Sequence, residues 1–123
     1  MMVLLCLACK QQEQKGSTAV NPTGAYTLVS VDGKDVPCTV QHAGHSVSIH
    51  SGAFVINEDR TCSSKMDFTA PNGVKASRNV NATYRQKGDT LTMKWDRAGV
   101  TKGAVHGDTF TMNNEGMVLT YRR

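Results

Sequence analysis

Residues 89–123 read DTLTMKWDRAGVTKGAVHGDTFTMNNEGMVLTYRR. Short runs of alternating apolar and polar residues are separated by Arg97-Ala98-Gly99, His106-Gly107-Asp108 and Asn114-Glu115-Gly116. Alternation with period two turns one face of each run toward a core and the other toward water, and Gly, Asn and Asp in the breaks supply tight-turn chemistry. The stretch is therefore a meander of antiparallel strands. Leu91, Met93 and Trp95 form the inward face of its first strand, and Phe110 and Met112 that of a later one.

The same pattern extends toward the N-terminus. Ala25 to Val31 reads as the first strand and Asp32-Gly33 as its turn. Pro37 cannot donate to a ladder, so the segment before Cys38 is kept out of a central position. Ser46 to Ile56 is a long strand whose Ser51-Gly52 predicts a bulge or sharp bend. Thr61 to Ala70 puts Cys62, Ser64, Met66 and Phe68 on one side, and Val80, Ala82 and Tyr84 are the inward candidates of the strand after Pro71-Asn72-Gly73. No window shows helical periodicity. About eight half-buried strands joined by consecutive hairpins predict an all-β fold, a small antiparallel up-and-down barrel.

The 123 residues suffice for one domain. Aromatics are only 6%, so the core must lean on aliphatic residues and Met. The net charge of +4 is spread along the chain, with no cluster of cations interleaved with aromatics, so nucleic acid is not an expected partner.

The chain begins differently. Residues 1–9, MMVLLCLAC, are almost wholly apolar but far short of the ~20 residues that cross a bilayer. Leu7-Ala8-Cys9 before a polar tail resembles the cleavage box of bacterial lipoproteins, with Cys6 where that box usually has Leu. The resemblance implies a truncated leader over residues 1–9, lipidation at Cys9, export to the periplasmic face of a bacterial envelope, and a membrane anchor through the lipid. Residues 10–23 are polar, without apolar periodicity, and read as a flexible tether. The domain proper is residues 24–123, expected as a monomer.

Cys38 and Cys62 lie inside that domain, with no C-x-x-C pair to suggest zinc. In an exported protein two isolated cysteines commonly pair, so a Cys38–Cys62 disulfide is expected, with two buried free thiols or a reactive thiol as the alternatives.

Gly24-Ala25-Tyr26-Thr27-Leu28-Val29-Ser30-Val31-Asp32-Gly33-Lys34 resembles the opening of bacterial lipocalin-like domains. Asn57-Glu58-Asp59-Arg60-Thr61 is similar to a later turn of that family, with Arg60 where Gly is usual. Tyr84 followed by Gly88-Asp89-Thr90-Leu91-Thr92-Met93 resembles one of its hairpins, and Gly107 to Thr111 a second copy. These motifs are mostly turn chemistry and specify fold more than activity. The resemblance implies a small barrel, often on a lipoprotein anchor, mostly without known activity.

Barrels of this size either fill with side chains or hold one small apolar ligand. Phe54, Met66, Phe68, Tyr84, Met93, Trp95, Phe110 and Met112 are the candidates to line such a cavity, and a small hydrophobic ligand or envelope component is the expected partner. No nucleophile elbow or phosphate loop is present, and a non-enzymatic role is expected. A protein-interaction or inhibitor module is the alternative. A periplasmic metal-binding domain is another: His42 and His45 flank Ala43-Gly44, and a tight hairpin there sets them face to face at ~5 Å between Cβ atoms. They would still need a third ligand. The plainer reading is histidines in solvated turns, so no metal or other cofactor is expected.

Overall fold

The computed structural model describes residues 20–123. The leader, Cys9 and most of the tether lie outside the described residues. Ten strands make one antiparallel sheet: β1 (Gly24–Val31), β2 (Lys34–Asp35), β3 (Cys38–His42), β4 (His45–Ile56), β5 (Thr61–Thr69), β6 (Lys75–Lys87), β7 (Thr90–Trp95), β8 (Gly99–His106), β9 (Thr109–Asn114) and β10 (Met117–Arg122). From β4 to β10 each strand pairs with the next in sequence, β10 pairs with β1, and β1 pairs with β4. Eight strands thus close an up-and-down barrel, with β2 and β3 as additions. The breaks in residues 89–123 fall where the sequence places them: each separates two paired strands of the meander.

The additions explain the barrel's shape. β1 and β4 pair only through Gly24–Thr27 and Ala53–Ile56. Beyond that point each strand carries a bulge. The β1 register skips Val29 against β10, and the β4 register skips His50 against β5, one residue before the predicted Ser51-Gly52 bend. A bulge bends its strand and switches the inward parity. The inward residues of β4 accordingly change from Val47 and Ile49 to Phe54 and Ile56. The two strands diverge, β2 pairs with the outer half of β1, and β3 pairs with the outer half of β4. One half of the barrel is therefore a ring of eight strands, and the other is widened by two more segments. Barrel diameter grows with strand number, so the second half is the wider.

The narrow half is filled. Tyr26, Phe54, Phe110 and Tyr121 are almost completely buried, and Phe54 is their hub. Its ring centroid lies 4.7 Å from Phe110, 5.5 Å from Tyr121 and 6.0 Å from Trp95, the last edge-on. Offset and edge contacts at these spacings are favourable for aromatic quadrupoles. Gly103 makes room for Phe110, since a Cβ there would sit 2.6 Å from the ring.

Residues 20–23 cap this end and are not free tether. The Tyr26 hydroxyl donates to the Pro22 carbonyl at 2.6 Å, and Gln86 Nε2 donates to Val20 O at 2.7 Å. Arg123 stacks over Tyr26 and donates to the carbonyls of Asn21, Thr23 and Gly107.

The expected disulfide is absent: Cys38 and Cys62 are free. The register shows why. Cys38 on β3 pairs with Ile49, which pairs with Phe68 on β5, so all of β4 separates the cysteines. Cys62 is six residues along β5 from Phe68, about 20 Å at strand rise. A disulfide needs Cα atoms within about 7 Å. The reading as buried free thiols holds in part, for Cys62 is buried and Cys38 half-buried.

Candidate functional site

The wide half holds a cavity of about 230 Å³ that opens at the end opposite the Arg123 cap. Its position follows from side-chain size. The large rings come from rows near the narrow end, and the rows above them carry Val47, Ile49, Met66, Val80, Met112 and Leu119, which do not reach across the widened ring. Trp95 and Phe68 are the aromatic residues of the lining. Trp95 is 8% exposed and braces its ring on Phe54, so it joins the packed half to the hollow one.

The wall has unequal height. β6 is thirteen residues long, but only Ala82 to Lys87 pair with β7, so its first half is a free edge standing above the β7–β8 hairpin. Together with β5 and the β3–β4 hairpin it forms a tall side of the mouth. The lower side is made by Ala98 and by the β9–β10 turn with Asn114, Glu115 and Met117. The β3–β4 and β9–β10 hairpins both turn on two residues with positive φ: Ala43 and Gly44 at 52° and 81°, Glu115 and Gly116 at 53° and 89°. This is the type I′ requirement, whose twist matches the flanking strands and keeps both hairpins extended over the mouth. Their tips approach each other, with His42 Nε2 3.8 Å from Glu115 Oε1.

The interior contains little titratable chemistry. Burial pushes the Tyr121 hydroxyl up to about 12, with the nearby Ser64 hydroxyl acting in the opposite direction. The geometry between them falls short of a hydrogen bond, and the Trp95 indole N–H is also buried without a partner. Burial pushes the Cys62 thiol up to about 11, which makes it a poor nucleophile. His42 and His45 do face each other in register, as the hairpin predicts. Among the described residues, however, no three His, Cys, Asp or Glu side chains converge as a metal would require.

Two other polar groupings lie outside the barrel. His50 Nε2 is 2.7 Å from Thr69 Oγ1, beside Asp67, whose carboxyl is held below its usual range by hydrogen bonds from Ser77 and Ser51. The group lies on the exposed side of the sheet. A wider trough of about 420 Å³ runs past Asn57, Cys62, Ser63, Asn81, Ala82 and Asp96, a shallow depression of mixed polar and apolar lining in which, among the described residues, no three His, Cys, Asp or Glu side chains converge.

Of the eight residues the sequence nominated for a cavity, Met66, Phe68, Trp95 and Met112 line it, whereas Phe54, Tyr84, Met93 and Phe110 are packed in the filled interior. Arg78, Met117 and Glu115 were not nominated. Arg78 was the most legible of these: it shares the parity of Val80, Ala82 and Tyr84, which the sequence already turned inward. Glu115 belongs to a turn, and only the folding of that turn over the mouth brings it to the site. No family model, curated protein or solved structure matches this chain.

Proposed function

We propose that this protein is a non-enzymatic carrier or sensor that binds one small, largely apolar molecule in the open half of its barrel. The observation that carries the reading is the contrast within one interior. The narrow half is packed by five aromatic rings. The wide half leaves about 230 Å³ lined mainly by Val, Ile, Leu, Met, Phe and Trp side chains, with the polar groups of His42, Ser64, Arg78, Asn114 and Glu115 among them, and open to solvent. An engineered apolar cavity of about 150 Å³ takes up benzene, so this volume suits a body of roughly nine carbon atoms. Met66, Met112 and Met117 are unbranched and adapt to irregular shapes. The rigid floor means the site needs no large rearrangement to accept a guest. The lipocalin-like turn motifs and the lipoprotein-like Leu7-Ala8-Cys9 favour a place on the envelope surface of a bacterium, where the barrel would take up its ligand from the periplasm.

Native mass spectrometry of protein purified from its host tests the reading. The expected result is an adduct of about 130–200 Da at this cavity size, removed by denaturation and lost when Met66 and Met112 are both replaced by Phe to fill the cavity. A filled-cavity variant that retains the same adduct would overturn the assignment.

A further inference from the structure

We infer that the ligand is an anionic amphiphile, its acid group held at the mouth by Arg78 and its apolar body in the cavity beneath. The inference rests on the proposed function and specifies the chemistry of the same site.

Arg78 is the cation of the cavity lining. It lies on β6 in register with Met66 of β5, so the two Cβ atoms are about 5 Å apart, and Met66 lines the cavity. Its inward parity is that of Val80, two residues deeper, also a lining residue. It stands near the lip, with the Ala76–Phe68 and Lys75–Thr69 pairs between it and the turn. Arg78 is exposed, like the rest of β6 from Lys75 to Asn79, so it presents its guanidinium at the mouth of the cavity that Val80 and Met66 line. The free edge of β6 lets that head reach water.

Electrostatics give the sign of the guest. The charged side chains of the lining are Arg78 and Glu115, with His42 as the titratable third. Glu115 lies on the β9–β10 turn across the barrel from β6, away from Arg78, with its Oε1 3.8 Å from His42 Nε2, a contact that is an ion pair when the imidazole is protonated. Arg78 forms no salt bridge among the described residues. Its planar fork matches a carboxylate or phosphate in two parallel hydrogen bonds. An amphiphile with its tail on Val80, two residues deeper than Arg78, and on the apolar lining beyond it brings its head to this level. A neutral guest would leave the guanidinium to water, and a cationic one would meet it as a like charge.

Three probes of one chain length test this: decanoate, 1-decanol and decyltrimethylammonium, titrated against the fluorescence of Trp95, the only tryptophan. In the unaltered protein decanoate binds roughly three- to fivefold more tightly than decanol, a preference that shrinks at high salt as screening requires. In Arg78→Gln decanoate affinity falls by roughly the same factor while decanol affinity is unchanged, which also shows the cavity intact. Arg85→Gln, on the outward parity of the same strand, changes neither. Decanol binding as tightly as decanoate, or an unchanged decanoate affinity in Arg78→Gln, overturns the inference and leaves the cavity assignment standing. Tighter binding of the ammonium probe makes Glu115 the selecting group and also overturns it. Failure of all three probes to bind overturns both readings.

Discussion

Replacing Gly103 by alanine tests the packing that separates the filled half of the barrel from the hollow half. Gly103 lies on β8 between Leu91 and Met112 and is buried. A Cβ built there lies 2.6 Å from Phe110 Cε1, 2.9 Å from Phe110 Cζ and 2.9 Å from the Thr111 carbonyl oxygen. Ordinary carbon contacts begin near 3.4–3.5 Å. The Phe110 ring must therefore move by most of an ångström, and it is hemmed in by Phe54 at 4.7 Å and by Tyr26 and Tyr121 at 5.9 Å. Overpacking of this kind costs about 1–3 kcal/mol. The lower chain entropy of unfolded alanine returns roughly 0.4–1 kcal/mol, since the backbone here is not left-handed. The net expectation is a loss of about 1–2 kcal/mol, or roughly 4–10 °C in Tm for a domain of this size. Urea titration followed by Trp95 fluorescence reads it, and the signal comes from the ring that abuts Phe54. Phe110→Leu alone is destabilising, but in the Gly103→Ala background it should cost at least ~1 kcal/mol less, because the shorter side chain relieves the contact. A Gly103→Ala stability within ~0.3 kcal/mol of the parent, or strictly additive effects in the cycle, refutes the packing argument.

Alkaline pH should weaken the fold through the same aromatic cluster. Burial pushes the Tyr121 hydroxyl up to about 12 in the folded barrel, against the ordinary tyrosine value of about 10 in the unfolded chain, so the unfolded chain binds fewer protons between those limits. Its contribution is complete below pH 10 and is lost as pH rises toward 12, amounting to about 3 kcal/mol over the range. Stability measured in Tyr121→Phe should be flatter across that window, and an unchanged slope counts against the buried hydroxyl. The thiols give a second test. In a variant with Cys6 and Cys9 changed to serine, Cys38 and Cys62 should both react with a thiol reagent after unfolding without reductant, and dithiothreitol should leave Tm unchanged. Cys62, whose thiol is pushed up to about 11, should react much more slowly than Cys38 in the native state. A dithiothreitol-dependent fall in Tm means a disulfide that the register forbids.

The strands were legible because each is a local statement. Leu91, Met93 and Trp95 share one face whatever surrounds them, and Asn114-Glu115-Gly116 turns the chain by its own backbone preferences. The cavity was only half legible, because parity says which residues enter the barrel and not at what height they enter. Phe54 and Met66 have the same inward parity; the first is in the filled half and the second in the hollow half. That difference comes from strand registers and from two bulges, at Val29 and His50, which split the seam. The cysteine pairing failed for the same reason. Nothing near Cys38 or Cys62 in the sequence reveals that β4 passes between them.

The cavity itself is tested most directly by methionine methyl NMR on protein labelled at its six methionines. Met66, Met112 and Met117 line the cavity, while Met93 is fully buried in the packed interior. Titration with decanoate should shift the methyl resonances of the first three together, saturating at one equivalent, and leave Met93 in place. Saturable shifts confined to Met93, or no shift at Met66, Met112 and Met117 while the ligand demonstrably binds, would contradict the placement of the binding site in the open half of the barrel.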